Sequence, residues 1–127
     1  MTPPVSGTAT VYAFSRDAAL STLMDTATGG GIAFESYQQQ IGNVLDDVYA
    51  DGVFLSSHEP RAATYPVSPH GLMRMSAESA LTYLLARCRN RGILEFFVRE
   101  PITKLVGLLY DNGLSFMVGP GTFRDSM

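Results

Sequence analysis

The chain's two histidines, His58 and His70, flank a segment that also holds Glu59 and Arg61. An imidazole can take up or release a proton near neutral pH, and a neighbouring carboxylate can fix its orientation. If the protein is an enzyme, His58, Glu59 and His70 are therefore its catalytic candidates. Arg61, Arg74, Arg87 and Arg91 form a candidate set for an anionic ligand, since a guanidinium grips phosphate or carboxylate with two parallel hydrogen bonds. His58-Glu59-Pro60-Arg61-Ala62 begins as a zincin motif does, but Ala62 stands where the second histidine is required and Pro60 interrupts the helix that would carry it. The triple glycine Gly29-Gly30-Gly31 lacks the Lys-Ser/Thr ending of a phosphate loop and reads as a hinge. No serine has the Gly-x-Ser-x-Gly setting of a nucleophile elbow. Cys88 is the single cysteine, so no intramolecular disulfide can form, and no metal site or cofactor is expected.

The elements that would position these residues follow from periodicity. A short strand Thr10–Phe14 leads to Ser15, an N-cap, and a helix over 15–27 with Ala19, Leu20, Leu23, Met24 and Ala27 on one face. A second helix over 34–51 carries Phe34, Tyr37, Ile41, Val44, Leu45 and Val48 and is closed by Gly52. Val53–Ser56 reads as a strand, and 57–71 as a long irregular loop of the kind that often carries function. After a brief strand at Leu72–Met75, Ser76 caps a helix over 76–91, whose buried stripe includes Leu84, Leu85 and Cys88. That stripe makes Cys88 a core residue rather than a nucleophile. Ile93–Arg99 is apolar and aromatic and ends before Pro101, so it reads as a strand. Asn112-Gly113 between two apolar runs reads as a hairpin turn, giving a three-stranded meander over 93–99, 103–110 and 114–118. Leu105, Leu108 and Leu109 also fit one side of a helix, which leaves 103–118 open between the two forms. The expected fold is α+β, with three helices on a mainly antiparallel sheet. Residues 1–8 form a lead-in, 9–118 one domain, and 119–127 a peripheral tail. No internal repeat stands out.

With 46% apolar and 17% charged residues in 127, the chain is suited to a packed core. Its net charge of −3 argues against nucleic-acid coating and against a polybasic membrane binder. The absence of a signal-like leader and of a run of about 18 apolar residues makes a cytoplasmic location the expectation. The charge is divided: residues 1–60 hold one basic and seven acidic side chains, whereas 61–127 hold eight basic and five acidic. An acidic surface of Glu35, Asp46, Asp47 and Asp51 is thus a candidate docking site for a protein partner, as in an inhibitor or immunity-type protein. A homodimer is the related expectation, with Phe97, Tyr110, Phe116 and Met117 as outward-facing contributors on a free sheet face.

The order of VYAFS, DAALSTLMDTA, GVFLSSHEPRAATYP and LLARCRNRGILEFFVRE also resembles small ADP-ribosyltransferase-like domains over about half of the chain. That resemblance implies an enzymatic alternative, with Tyr12, Ser56 and either Glu95 or Glu100 as the positions to test. Ala13 stands where the family places its first histidine or arginine.

Overall fold

The computed structural model describes residues 9–57, 63–67 and 73–118, in which four helices pack with an antiparallel sheet. In chain order these are β1 (Ala9–Ala13), α1 (Arg16–Gly29), a 3-10 turn (Glu35–Tyr37), α2 (Gln38–Ala50), β2 (Val53–Ser57), β3 (Ala63–Val67), β4 (Met73–Arg74), α3 (Ala77–Asn90), α4 (Glu95–Asp111) and β5 (Leu114–Val118). The sheet order is β3-β1-β2-β5-β4. Ser15 and Ser76 cap α1 and α3 as expected, each accepting a hydrogen bond from the backbone N–H three residues on, at Ala18 and Ser79. The stripes read from the sequence face the core: Ala19, Leu23, Ile41, Val44, Leu45, Val48, Leu84, Leu85 and Cys88 are all buried with Val53, Leu55, Phe116 and Val118 of the sheet. A smaller cluster of Ala13, Phe54 and Met117 lies apart from that core.

The expected meander is replaced by a fourth helix. Glu95–Asp111 is α-helical through Pro101, because Val98, Ile102, Leu105, Val106 and Leu109 bury one continuous helical stripe. That burial outweighs the one hydrogen bond which proline cannot donate. Asn112-Gly113 does supply a positive φ, 81° at Gly113, but uses it to stop the helix: the Asn112 side-chain amide donates to the Leu108 carbonyl at 2.7 Å. Of the expected meander only Leu114–Val118 remains a strand. The long loop is likewise interrupted by β3, which pairs with β1 from Ala9↔Val67 to Ala13↔Ala63.

The structure also reveals a repeat. Ser15-x-Asp-x-Ala-Leu-x-x-Leu recurs as Ser76-x-Glu-x-Ala-Leu-x-x-Leu, and Tyr49-x-Asp-Gly as Tyr110-x-Asn-Gly, always 61 positions apart. The hydrogen bonds recur with the residues. Tyr49 donates its hydroxyl proton to the Phe14 carbonyl and accepts from the Leu55 N–H, while Tyr110 donates to the Met75 carbonyl and accepts from the Phe116 N–H. The molecule is thus two strand–helix–helix–strand units, β1-α1-α2-β2 and β4-α3-α4-β5, joined where β2 pairs with β5. In that pairing Leu55 sits opposite its own repeat equivalent, Phe116, which places an approximate two-fold axis between them. Helices of the two units meet as α2 with α3 and as α1 with α4. At these equivalent contacts the chemistry differs. Arg91 grips Asp47 at one, whereas at the other Gly30 leaves room for Leu108, with which a Cβ on Gly30 would collide.

Candidate functional site

His58, Glu59, Arg61 and His70 lie outside the described residues, as do residues 1–8 and 119–127. Among the described residues no group of three histidine, cysteine, aspartate or glutamate side chains gathers as a metal site, and no helix is long and apolar enough to cross a membrane.

The structure brings the acidic and basic halves against each other. Asp46 accepts from Arg16 Nε at 2.6 Å. Asp47 accepts two bonds from Arg91, at 2.7 and 2.8 Å. Asp51 accepts from the Tyr83 hydroxyl at 2.7 Å and lies 3.3 Å from Arg87, whose guanidinium stacks over the Tyr83 ring. Arg74 lies over the Tyr110 ring, with its guanidinium carbon 5.1 Å from the centroid. Three of the four candidate docking carboxylates therefore already hold cations, and only Glu35 is without an ion pair among the described residues. Of the proposed anion-binding arginines, Arg87 and Arg91 are turned toward α2, and Arg74 packs against α4 in a separate contact.

The Arg91 guanidinium holds the Asp47 carboxyl below its ordinary value of 3.8. A carboxylate with a depressed folded pKa stabilises the fold above its unfolded pKa, and loses that contribution as the pH falls through the folded value. Asp47→Asn is accordingly expected to lower Tm at pH 7, with the difference from wild type closing as melts are repeated from pH 5 down to pH 2. A constant difference across that range would show that the pair contributes nothing through charge.

Cys88 is 1% exposed, and with Leu23, Phe34, Ile41, Leu84 and Leu105 it lines an apolar void of about 20 Å³. Burial pushes its thiol up to about 11, from 9.0. At pH 8 the buried thiol therefore holds about 100-fold less thiolate than an ordinary one, and a disulfide reagent is expected to label native Cys88 at least that much more slowly than the unfolded chain. Equal rates would place the thiol at the surface.

Of the positions implied by the enzyme resemblance, Tyr12 and Ser56 stand on the neighbouring strands β1 and β2. Glu95 and Glu100 stand on α4, not on a strand. Glu95 is taken by Arg99, whose Nε is 2.7 Å away, and by Arg89 at 3.5 Å. Ser56 is 7% exposed in β2.

The surface feature that the sequence does not announce is apolar. Phe96 is 88% exposed, Leu94 63% and Phe97 53%, and the two phenyl rings meet edge to face at 5.3 Å. Beside Phe96, the side chains of Glu95, Arg99 and Glu100 border a shallow, solvent-open depression. Of the residues expected on an open sheet face, only Phe97 is exposed, and it belongs to α4. Phe116 and Met117 are buried and Tyr110 half-buried. The helical period of Val98, Ile102, Leu105, Val106 and Leu109 was the available signal, since it turns Phe96 and Phe97 away from the core. Comparison with protein-family models, with curated proteins and with solved structures finds no match to this chain.

Proposed function

We propose that this protein is a small, non-enzymatic protein-interaction module that docks a partner through Leu94, Phe96 and Phe97 at the start of α4. The observation that carries this reading is the exposure of Phe96 at a position where the fold has no use for a phenyl ring. Its repeat equivalent is Glu35, and that of Phe97 is Ser36. The helix stripes match at Ala19 and Ala80, Leu23 and Leu84, Ile41 and Ile102, and Val48 and Leu109, while the buried Phe34 has Glu95 as its equivalent, so the shared fold accounts for the buried stripe and not for the exposed rings. Exposed aromatic clusters rimmed by charge are the usual anchors of protein interfaces.

The expected inhibitor-type role through an acidic surface is less well supported. A basic partner site would have to displace Arg16, Arg91 and Arg87 from the carboxylates it sought. The reading keeps the protein in the cytoplasm, where one reduced, buried cysteine is ordinary.

Photo-crosslinking tests the proposal. With Phe96→p-benzoylphenylalanine, irradiation in an extract of the native host is expected to give a discrete protein adduct, and Glu35→p-benzoylphenylalanine is expected to give none. Equal labelling at the two positions, or none at either, would overturn it.

A further inference from the structure

Resting on that reading, we infer that the outward face of α4 is a two-fold self-association surface, on which the partner is a second copy of this chain. The inward positions of α4 are Val98, Ile102, Leu105, Val106 and Leu109. At 100° per residue the opposite side of the helix carries Phe96, Glu100, Thr103, Lys104 and Gly107, with Phe97 at its margin, and all of these are exposed.

This strip is complementary to itself when reversed. At one end stand the phenyl rings. At the other stands Gly107, around which a Cβ would meet nothing within 4 Å, so that a second backbone can come close. Between them are Glu100 and Lys104, opposite charges one turn apart, and neither has an ion-pair partner among the described residues. When two α4 helices run antiparallel about a two-fold axis near Ile102, Phe97 of each copy falls opposite Gly107 of the other, with Phe96 beside it. Glu100 of each then falls opposite Lys104 of the other. Every contact is made twice, as an isologous interface requires.

The internal repeat provides a comparison within the molecule. The equivalent strip of α2 and its leading turn carries Glu35, Gln39, Gly42, Asn43 and Asp46, with no aromatic ring, and its glycine is covered by Arg16 and Leu20 rather than open to a second backbone. The second unit alone bears the self-complementary face. One helix strip is smaller than the roughly 800 Å² per partner of a standard interface, so dissociation constants on the order of tens of micromolar are expected.

Sedimentation equilibrium of the purified chain from about 1 µM to 1 mM tests the inference. The wild type is expected to pass from monomer to dimer, and Phe96→Asp to weaken association by about 30-fold or more, the loss expected at an interface anchor. Glu100→Lys and Lys104→Glu are each expected to weaken it by setting like charges opposite each other, and the double exchange to restore it. That rescue could not come from a folding defect. A wild type that stays monomeric throughout would overturn the second copy as partner while leaving the module reading to the cross-linking in extract. A dimer indifferent to Phe96→Asp would overturn the surface itself, as would a failure of the double exchange to restore association.

Discussion

Phe116→Ala is expected to lower the unfolding free energy by about 3–5 kcal/mol, the usual cost of emptying a buried phenylalanine site. Stabilities of natural domains lie at about 5–15 kcal/mol, so this one change removes a large share of the total. The expectation rests on position as much as on burial. Phe116 is fully buried and sits across from Leu55 at the approximate two-fold axis, where the sheets of both units and their helices share one core. A cavity there cannot be closed by adjusting one unit, because the two converge on it from opposite sides. The measurement is the urea midpoint at unchanged slope, and Phe96→Ala is the control. Removing that 88% exposed ring is expected to shift stability by no more than about 0.5 kcal/mol. Comparable losses for the two substitutions would mean that the α4 surface, not the axis, holds the fold together.

Much of the helical architecture is legible in the residues. Ser15 and Ser76 announce their helices because a serine hydroxyl can satisfy a free N–H at a helix start, and the buried stripes of α1, α2 and α3 have the spacing that burial imposes. The C-terminal third misleads for two physical reasons. Proline is a breaker by local rules, yet five buried side chains on one face of α4 hold the helix through Pro101. Asn-Gly permits positive φ without saying what the chain does next, and a hairpin and a helix stop require the same backbone angle. The repeat escapes notice because its two copies agree mainly at caps, core positions and turn glycines, while their surfaces have diverged. The charge asymmetry was visible, but whether opposite charges face solvent or each other depends on the packing of α2 against α3, which composition does not contain. Among the candidate residues, the sequence correctly placed Cys88 in the core. It offered Phe97 for the wrong reason, as part of a sheet face, and passed over Phe96 because a strand reading of Ile93–Arg99 gives that ring no outward helical position.

Tyr49→Phe and Tyr110→Phe are each expected to cost about 1–3 kcal/mol, far more than the loss of a solvated hydroxyl, because each strands two backbone groups at once. The Tyr49 hydroxyl lies 2.9 Å from the Phe14 carbonyl and 3.2 Å from the Leu55 nitrogen, and that of Tyr110 lies 3.0 Å from both the Met75 carbonyl and the Phe116 nitrogen. Each hydroxyl thus donates to the residue leading into a capped helix and accepts from the strand that ends the same unit. The same two strand ends are also joined directly, Phe14 N–H to Leu55 carbonyl at 2.9 Å and Met75 N–H to Phe116 carbonyl at 2.8 Å. In each unit the tyrosine hydroxyl bridges the carbonyl and the N–H that this direct bond leaves unjoined, and the fold uses the same device twice. The pH dependence gives an independent check. Burial pushes the Tyr49 hydroxyl up to about 12, from 10.0. An acid whose folded pKa is raised stabilises the fold fully below its unfolded value and loses that contribution as the pH climbs through the folded one. The stability difference between wild type and Tyr49→Phe should therefore hold steady below pH 10 and shrink between pH 10 and 12. Urea titrations of the pair at fixed pH steps measure it, and a difference that persists undiminished at pH 12 would mean that the hydroxyl acts through packing rather than through its proton.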